Sequence, residues 1–327
     1  AKIKIEEVAE KGNQTRGSLV SELTERYYGL VLALQVVEVR RQVLEGMQHH
    51  LSDAKALEAN GIIAKGERLY AEVHTAEAER ELLKAQKTVE TLYSALSNTL
   101  GGDESTYIPA TSMFILNDIE SVSYFKDLAK QHSPLLKQVG YKKQLATENM
   151  RLQRADFAPQ VALTGMAAFY NYQVSPIIPK WAVGAGVSLK IFDGLNREYK
   201  FSAAKSQIRQ VEAVGHQAES DILTLIDKLY NEMVTYSQQL PSVNASGRFA
   251  EEYLRIKEEA FKEGAAPSSD VVDARLNLAK IRIERLQAAY YYDMMLARLL
   301  EACGQSELFP DYGKRAAAMP IRYEHDF

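Results

Sequence analysis

Ala204-Lys-Ser-Gln-Ile-Arg-Gln-Val-Glu-Ala-Val-Gly215 repeats the pattern of Ala1-Lys-Ile-Lys-Ile-Glu-Glu-Val-Ala-Glu-Lys-Gly12, and the match runs on without a gap at a constant shift of 203 residues. Tyr27 meets Tyr230, Leu51 meets Leu254, Ala71 meets Ala274, Ala76 meets Ala279 and Leu96 meets Leu299. Heptads rich in alanine align almost anywhere. Such an alignment does not also put Gly61 on Gly264 and Gly101 on Gly304. Self-similarity of this kind marks a duplication. The repeated unit has a turn glycine about 60 residues in and a closing glycine at its end, which reads as one long helix hairpin, present twice.

Working outward, residues 1–60 hold no proline and no turn cluster, and 67–100 hold neither proline nor glycine. Leu82, Ala85, Val89, Leu92 and Leu96 step by three and four, the spacing of a coiled-coil seam. Sixty helical residues span roughly 90 Å, far beyond the usual globular helix. A further helical stretch is expected over 118–156, with Pro134 as a break or a new helix start. Helix resumes after Gly194 and runs to Glu263, kinked at Pro241, and a last helix covers 270–302. The tail from Gly304 reads as irregular.

Between the repeats the period changes from helical to 2. Over 160–172, Val161, Leu163, Gly165, Ala167 and Phe169 share one face. Over 181–192, Trp181, Val183, Ala185, Val187, Leu189 and Ile191 do the same, opposite small or polar residues. The two runs read as a β-hairpin. Aromatic residues gather at its ends (Phe157, Phe169, Tyr170, Tyr172, Trp181, Phe192), and 9–11 residues suffice for a tilted strand to cross a bilayer. One reading is a transmembrane strand pair, which needs other copies to close a barrel. The other is a hairpin of a soluble coiled-coil scaffold, packed on its own helices. The duplication also leads one to expect a homologous hairpin upstream of Ala1, so the chain reads as a mature chain or a cut fragment.

Composition excludes several classes. The 327 residues are 46% hydrophobic and 25% charged with a net charge of −4, which is neither disordered nor basic enough for a nucleic-acid binder. Cys303 is the single cysteine, which rules out an internal disulfide or a multi-cysteine metal site. No run of about 18 apolar residues is present. No nucleophile, P-loop, zincin or dinucleotide motif occurs. The six histidines are scattered, so no metal site, cofactor or catalytic residue is expected. Cys303 and Tyr290, Tyr291 and Tyr292 read as packing residues.

The chain resembles the TolC-like outer-membrane efflux proteins over nearly all its length. The likeness rests on His132-Ser-Pro-Leu-Leu136 before a long helix, Ala158-Pro-Gln-Val-Ala-Leu-Thr-Gly165 entering a strand, and Gly186-Val-Ser-Leu-Lys-Ile-Phe-Asp-Gly194 leaving one. It rests too on Ser269-Asp-Val-Val-Asp-Ala-Arg275 after the glycine turn, and on the duplication itself. It implies a mainly α fold: long antiparallel coiled-coil helix hairpins plus a β-hairpin that joins a trimeric transmembrane β-barrel. The expected segments are a first helical hairpin (1–101), connecting loop and helices (102–158), an outer-membrane β-hairpin (159–193), a second helical hairpin (194–304) and a tail (305–327). The implied protein is a homotrimeric export duct in the outer membrane of a Gram-negative bacterium, with its helical barrel in the periplasm. Its partners would be a periplasmic adaptor and an inner-membrane pump, as in tripartite efflux or type I secretion.

Two sets of site residues follow from the resemblance. The inter-helix turns, Gly61, Ile62, Ile63 and Ala64 with Gly264, Ala265 and Ala266, would lie at the end opposite the strands and meet the adaptor. Ile62 and Ile63 are expected to be exposed, although both glycines also suit plain helix C-caps. Asp270 and Asp273, at i and i+3, would line the periplasmic entrance in a ring of six carboxylates that attracts cations. Near a helix start the same carboxylates suit capping and the macrodipole. Where the family carries a basic lock residue this chain has Ala266. The lipid-facing residues would be Val161, Leu163, Phe169, Trp181, Val183, Val187, Leu189 and Ile191.

Overall fold

The computed structural model describes residues 1–101, 109–167 and 181–323. Two long helix pairs dominate. α1 (Lys2–Ala59) turns into α2 (Lys65–Leu100), and α5 (Asn196–Lys262) turns into α6 (Ser268–Ala302). Between the pairs come β1 (Met113–Leu116), α3 (Val122–His132), α4 (Pro134–Ala155), β2 (Gln160–Ala167) and β3 (Trp181–Ser188). A 3-10 turn (Ser306–Leu308), α7 (Phe309–Gly313) and β4 (Ala318–Ile321) follow α6. α4 starts on Pro134, where a missing N–H costs nothing. Pro241 lies inside α5, which is helical on both sides of it.

The chain divides into two compact units: residues 1–12 with 134–221, and residues 13–133 with 222–327. In the first, β2 and β3 pair antiparallel from Gln160↔Ser188 to Ala167↔Trp181. This register puts Val161 opposite Val187, Gly165 opposite Val183 and Leu163 opposite Ala185, so the apolar face seen in the sequence is continuous across both strands. That face is bare: Leu163 is 81% exposed and Val183 73%. β3 ends at Ser188, so Leu189 and Ile191 lie beyond the strand rather than in it. Phe169, Tyr170, Tyr172 and the linker 174–179 fall outside the described residues. At the start of α5, Phe157 meets Phe201 edge-on, with Arg197 over the Phe157 ring at 5.2 Å.

In the second unit the helices of each pair are antiparallel, since their contacts step away from the turn on both sides. Glu58 binds Arg68 at 2.6 Å, Thr75 donates to the Met47 carbonyl, and Arg26 donates to that of Ala95. In the other pair Lys257 binds Asp270, Glu251 binds Arg282, and Tyr236 stacks on Tyr291. α6 also lies along α1: Arg282 reaches Gln42, Arg298 reaches Glu25, and Ser21 donates to the Ala297 carbonyl. Close approach needs small residues. Ala54, Ala71, Ala250 and Ala274 pack with Leu254, Phe261, Val271 and Leu278. Gly46 lets the Arg275 guanidinium, which is bonded to Glu258, cross α1 where any Cβ would collide with it.

The segments that the sequence suggested were loop and irregular tail form a second sheet. β1 pairs with β4 antiparallel, Met113↔Ile321 to Leu116↔Ala318, and every residue of β1 is buried. The backbone N–H of Phe114 donates to Asp293 Oδ2 at 3.2 Å. Asp293 is fully buried, and desolvation drives its carboxyl well above the usual carboxylate range. Cys303 is buried as well, and its thiol donates to the Phe125 carbonyl. Tyr292 is buried, whereas Tyr291 is partly exposed.

Candidate functional site

The two inter-helix turns are built alike. At the end of α1 the Gly61 N–H donates to the Glu58 carbonyl and the Ile62 N–H to that of Leu57, with Gly61 at φ 72°. At the end of α5, Gly264 donates to Phe261 and Ala265 to Ala260, with Gly264 at φ 73°. Each is a Schellman cap, which satisfies the last carbonyls and needs a residue with positive φ. The plain reading of both glycines as helix caps therefore describes their local structure.

What the turns do to each other was not visible in the sequence. The Ile62 side chain lies against Gly264, so close that a Cβ there would sit 2.9 Å from Ile62 Cγ2. Ile62 is still 54% exposed, whereas Ile63 is half-buried against the alanine-rich core, contrary to the expectation that both isoleucines are bare. Ala64 precedes α2 in extended conformation and is exposed, as is Ala265; Ala266 is partly buried.

α6 begins after Pro267, which has no capping side chain. The cap comes from another helix: the Ser268 N–H donates to Glu67 Oε2 at 2.6 Å. A carboxylate there meets both an unsatisfied N–H and the positive end of the helix dipole. Ser268 Oγ lies 2.6 Å from His50 Nε2, and the His50 ring tilts on Phe261 at 4.4 Å. Burial, and next the nearby Arg275 charge, push the His50 pKa down to about 4, so the ring is neutral at neutral pH.

The two aspartates have different surroundings. Asp270 does not cap α6. Its Oδ2 accepts from Lys257 Nζ at 2.6 Å, across the turn, and that hydrogen bond raises the lysine pKa. Asp273 is exposed, and its charge adds to the desolvation that raises the phenol pKa of Tyr70 on α2. Glu67 and Asp270 are equivalent positions of the duplication, at the same shift of 203. One carboxylate reaches to the other helix pair and one stays within its own. Lys257, Glu67, Ser268 and His50 were all missed in the sequence. The repeat could have flagged Glu67 alone. Among the described residues no histidine, cysteine or carboxylate cluster could hold a metal, and no helix is long and apolar enough to cross a membrane.

Comparison with known proteins supplies the family. The model of the outer membrane efflux protein family matches residues 126–305, more than half of the chain. The chain belongs to that family. It is therefore an outer-membrane efflux channel subunit rather than an enzyme. Similar solved structures share its fold. The outer membrane protein VceC of Vibrio cholerae superposes with a TM-score of 0.79 at 18% identity, over 93% of this chain and 74% of that one. A membrane protein of Pseudomonas aeruginosa gives 0.78 at 18%, over 90% and 67%. The open-state MtrE channel of Neisseria gonorrhoeae gives 0.72 at 18%, over 92% and 69%. No curated protein relative matches the chain.

Proposed function

We propose that this efflux channel protein works as a homotrimer, as the passive duct of a tripartite efflux or type I secretion system, docking on a periplasmic adaptor through its turns and gated there. The observation that carries the reading is the direct contact of the two turns. Ile62 on Gly264 and Glu67 on Ser268 tie the first helix pair to the start of α6. A shift of the α5–α6 pair must break both, and a partner that grips the exposed Ile62 tip could bias that shift. Asp270 and Asp273 stand beside the same joint. In a trimer they would form the acidic entrance, with Lys257 offsetting one carboxylate of each pair.

The bare face of the β-hairpin supports a lipid-facing role for Val161, Leu163, Trp181, Val183 and Val187. Two strands alone leave unpaired edges, and other strands must complete the sheet. Planar-bilayer conductance of the full chain, beside an Asp270→Ala/Asp273→Ala variant, tests the proposal. Cation-selective steps that lose selectivity in the variant are expected. Unchanged selectivity would reduce the aspartates to local ion-pair and helix-end residues, and absence of steps would end the duct reading.

A further inference from the structure

His50 also stands in the wall of a cavity of about 500 Å³ bordered by α1, α5 and α6, all within the second unit. This is the size of a small-molecule site. Val39, Val43, Leu254, Phe261 and Leu278 give it an apolar wall and are themselves buried. The polar wall is formed by Arg275 and Arg282, which share one face of α6, two turns and roughly 10 Å apart. Each guanidinium is bound on one side by a carboxylate of α5, Arg275 by Glu258 and Arg282 by Glu251. Arg282 is bonded to Gln42 and Tyr323 as well. Arg275 differs. Its Nε is buried, and among the described residues no acceptor lies within hydrogen-bonding reach of it. A buried charged donor left without an acceptor is costly, and a ligand oxygen is one way to satisfy it.

The cavity is not a remnant of the duplication. At the shift of 203 residues, Arg275 and Arg282 correspond to Glu72 and Glu79, Glu258 to Lys55, and Gly46 to Phe249. The charges are reversed and the glycine is replaced by the largest apolar ring but one. At Gly46 any Cβ would collide with the Arg275 guanidinium, so a phenylalanine there would drive the arginine from its place. Gly46 and Arg275 together therefore set a guanidinium where three helices meet. Lys262 lies exposed at the same cavity. With it the lining carries more cationic groups (Arg275, Arg282, Lys262) than carboxylates (Glu258, Asp53), and Glu258 is already matched by Arg275.

We propose that this cavity binds an amphipathic carboxylate, its anionic end on the Arg275 guanidinium and its apolar body against Val43, Leu254 and Phe261. The apolar wall sets the body, and the unmatched buried N–H sets the charge. The bound molecule touches α1 of the first repeat and both helices of the second, so it holds the two helix pairs at their present spacing. That consequence, unlike the binding itself, rests on the gating reading above.

The test uses phenylbutyrate as the probe and its neutral amide, phenylbutyramide, as the control. His49, an exposed residue of the cavity wall, is replaced in the full chain by His49→Cys, and the rate of labelling by a methanethiosulfonate reagent is measured in detergent. Cys303 is buried with its thiol pKa pushed up to about 12, so it stays out of the reaction. Phenylbutyrate should slow labelling of His49→Cys but not of Lys55→Cys, which lies outside the cavity, and the amide should slow neither. Arg275→Gln should weaken the protection roughly tenfold, as for one charged hydrogen bond. Lys262→Gln, at an exposed position, should weaken it by less and serves if Arg275→Gln does not fold. Equal labelling with and without phenylbutyrate, equal protection by the amide, or protection indifferent to both substitutions overturns the proposal. In planar bilayers phenylbutyrate should lengthen closed dwell times. Protection at His49→Cys with unchanged dwell times leaves the site standing and overturns its link to the gate.

Discussion

Glu67 accepts the backbone N–H of Ser268 at 2.6 Å, across 201 residues of sequence. A carboxylate of the first repeat thereby caps the last helix of the second. One contact of the joint between the repeats is thus a helix cap, and caps are individually weak. Glu67→Ala should cost about 1 kcal/mol, as for a lost N-cap. Because the lost contact joins the two turns, the variant should also dwell longer in conducting states in planar bilayers. Glu67→Gln, which keeps an acceptor but no charge, should fall between. Equal dwell times in all three proteins would separate the cap from the gate.

His50 makes the same joint sensitive to acid. Its pKa in the folded chain is about 4, against 6.5 for an unperturbed histidine. Below about pH 6.5 the unfolded chain binds the proton more readily, so the stability that His50 contributes falls as pH drops from about 6.5 to 4 and is constant above that window. The full effect is at most about 3.4 kcal/mol. Urea unfolding at pH 5 and pH 7.5 should show a larger acid loss for the native chain than for His50→Gln. Parallel losses would mean that other groups carry the acid response.

Asp293 behaves in the opposite direction. Its folded carboxyl titrates well above the usual range, so the unfolded chain releases the proton first as pH rises from about 4. Asp293→Asn keeps an acceptor for the Phe114 N–H and removes this cost. It should raise the melting temperature at pH 7.5, with a gain that shrinks toward pH 4. Asp293→Ala, by contrast, leaves the buried Phe114 N–H unpaired and should cost about 1–3 kcal/mol. A melting temperature for Asp293→Asn that is lower than native at pH 7.5 would contradict this account.

Gly61 and Gly264 have nearly the same φ but different neighbours. At Gly61 a Cβ meets nothing within 4 Å; at Gly264 it meets Ile62. Gly61→Ala should therefore cost only the left-handed backbone term, roughly 1–2 kcal/mol. Gly264→Ala should cost more, and Ile62→Ala should recover the excess. A double-mutant cycle by denaturant unfolding measures that coupling directly. Additive effects of Gly264→Ala and Ile62→Ala would mean that the turns do not press on each other.

Much of this architecture was legible in the residue order because it repeats locally. Periods of 3.5 and 2 mark the seams and the strand faces, and glycine at the turns marks positive φ, so the hairpins, the caps and the continuous Val161–Val187 face follow from short-range pattern. β1 and β4 were not legible. Four residues, Met113–Leu116, show no usable alternation when all are buried, and their partners lie about 200 residues away. The strand end at Ser188 was overrun because the apolar alternation continues through Leu189 and Ile191, beyond the last paired residue.

The sequence by itself determined that the protein is a duplicated helix hairpin with a β-hairpin between the copies, because each of those elements is specified by neighbours within a few turns or strand repeats. Only the tertiary structure decided how the repeats lock together. It joined Glu67 to Ser268, turned Asp270 onto Lys257 and Ile62 onto Gly264, and buried His50 and Asp293. Those pairs depend on how far one helix slides along another. That height is set by alanine and glycine packing across α1, α2, α5 and α6, not by any period that a single helix carries.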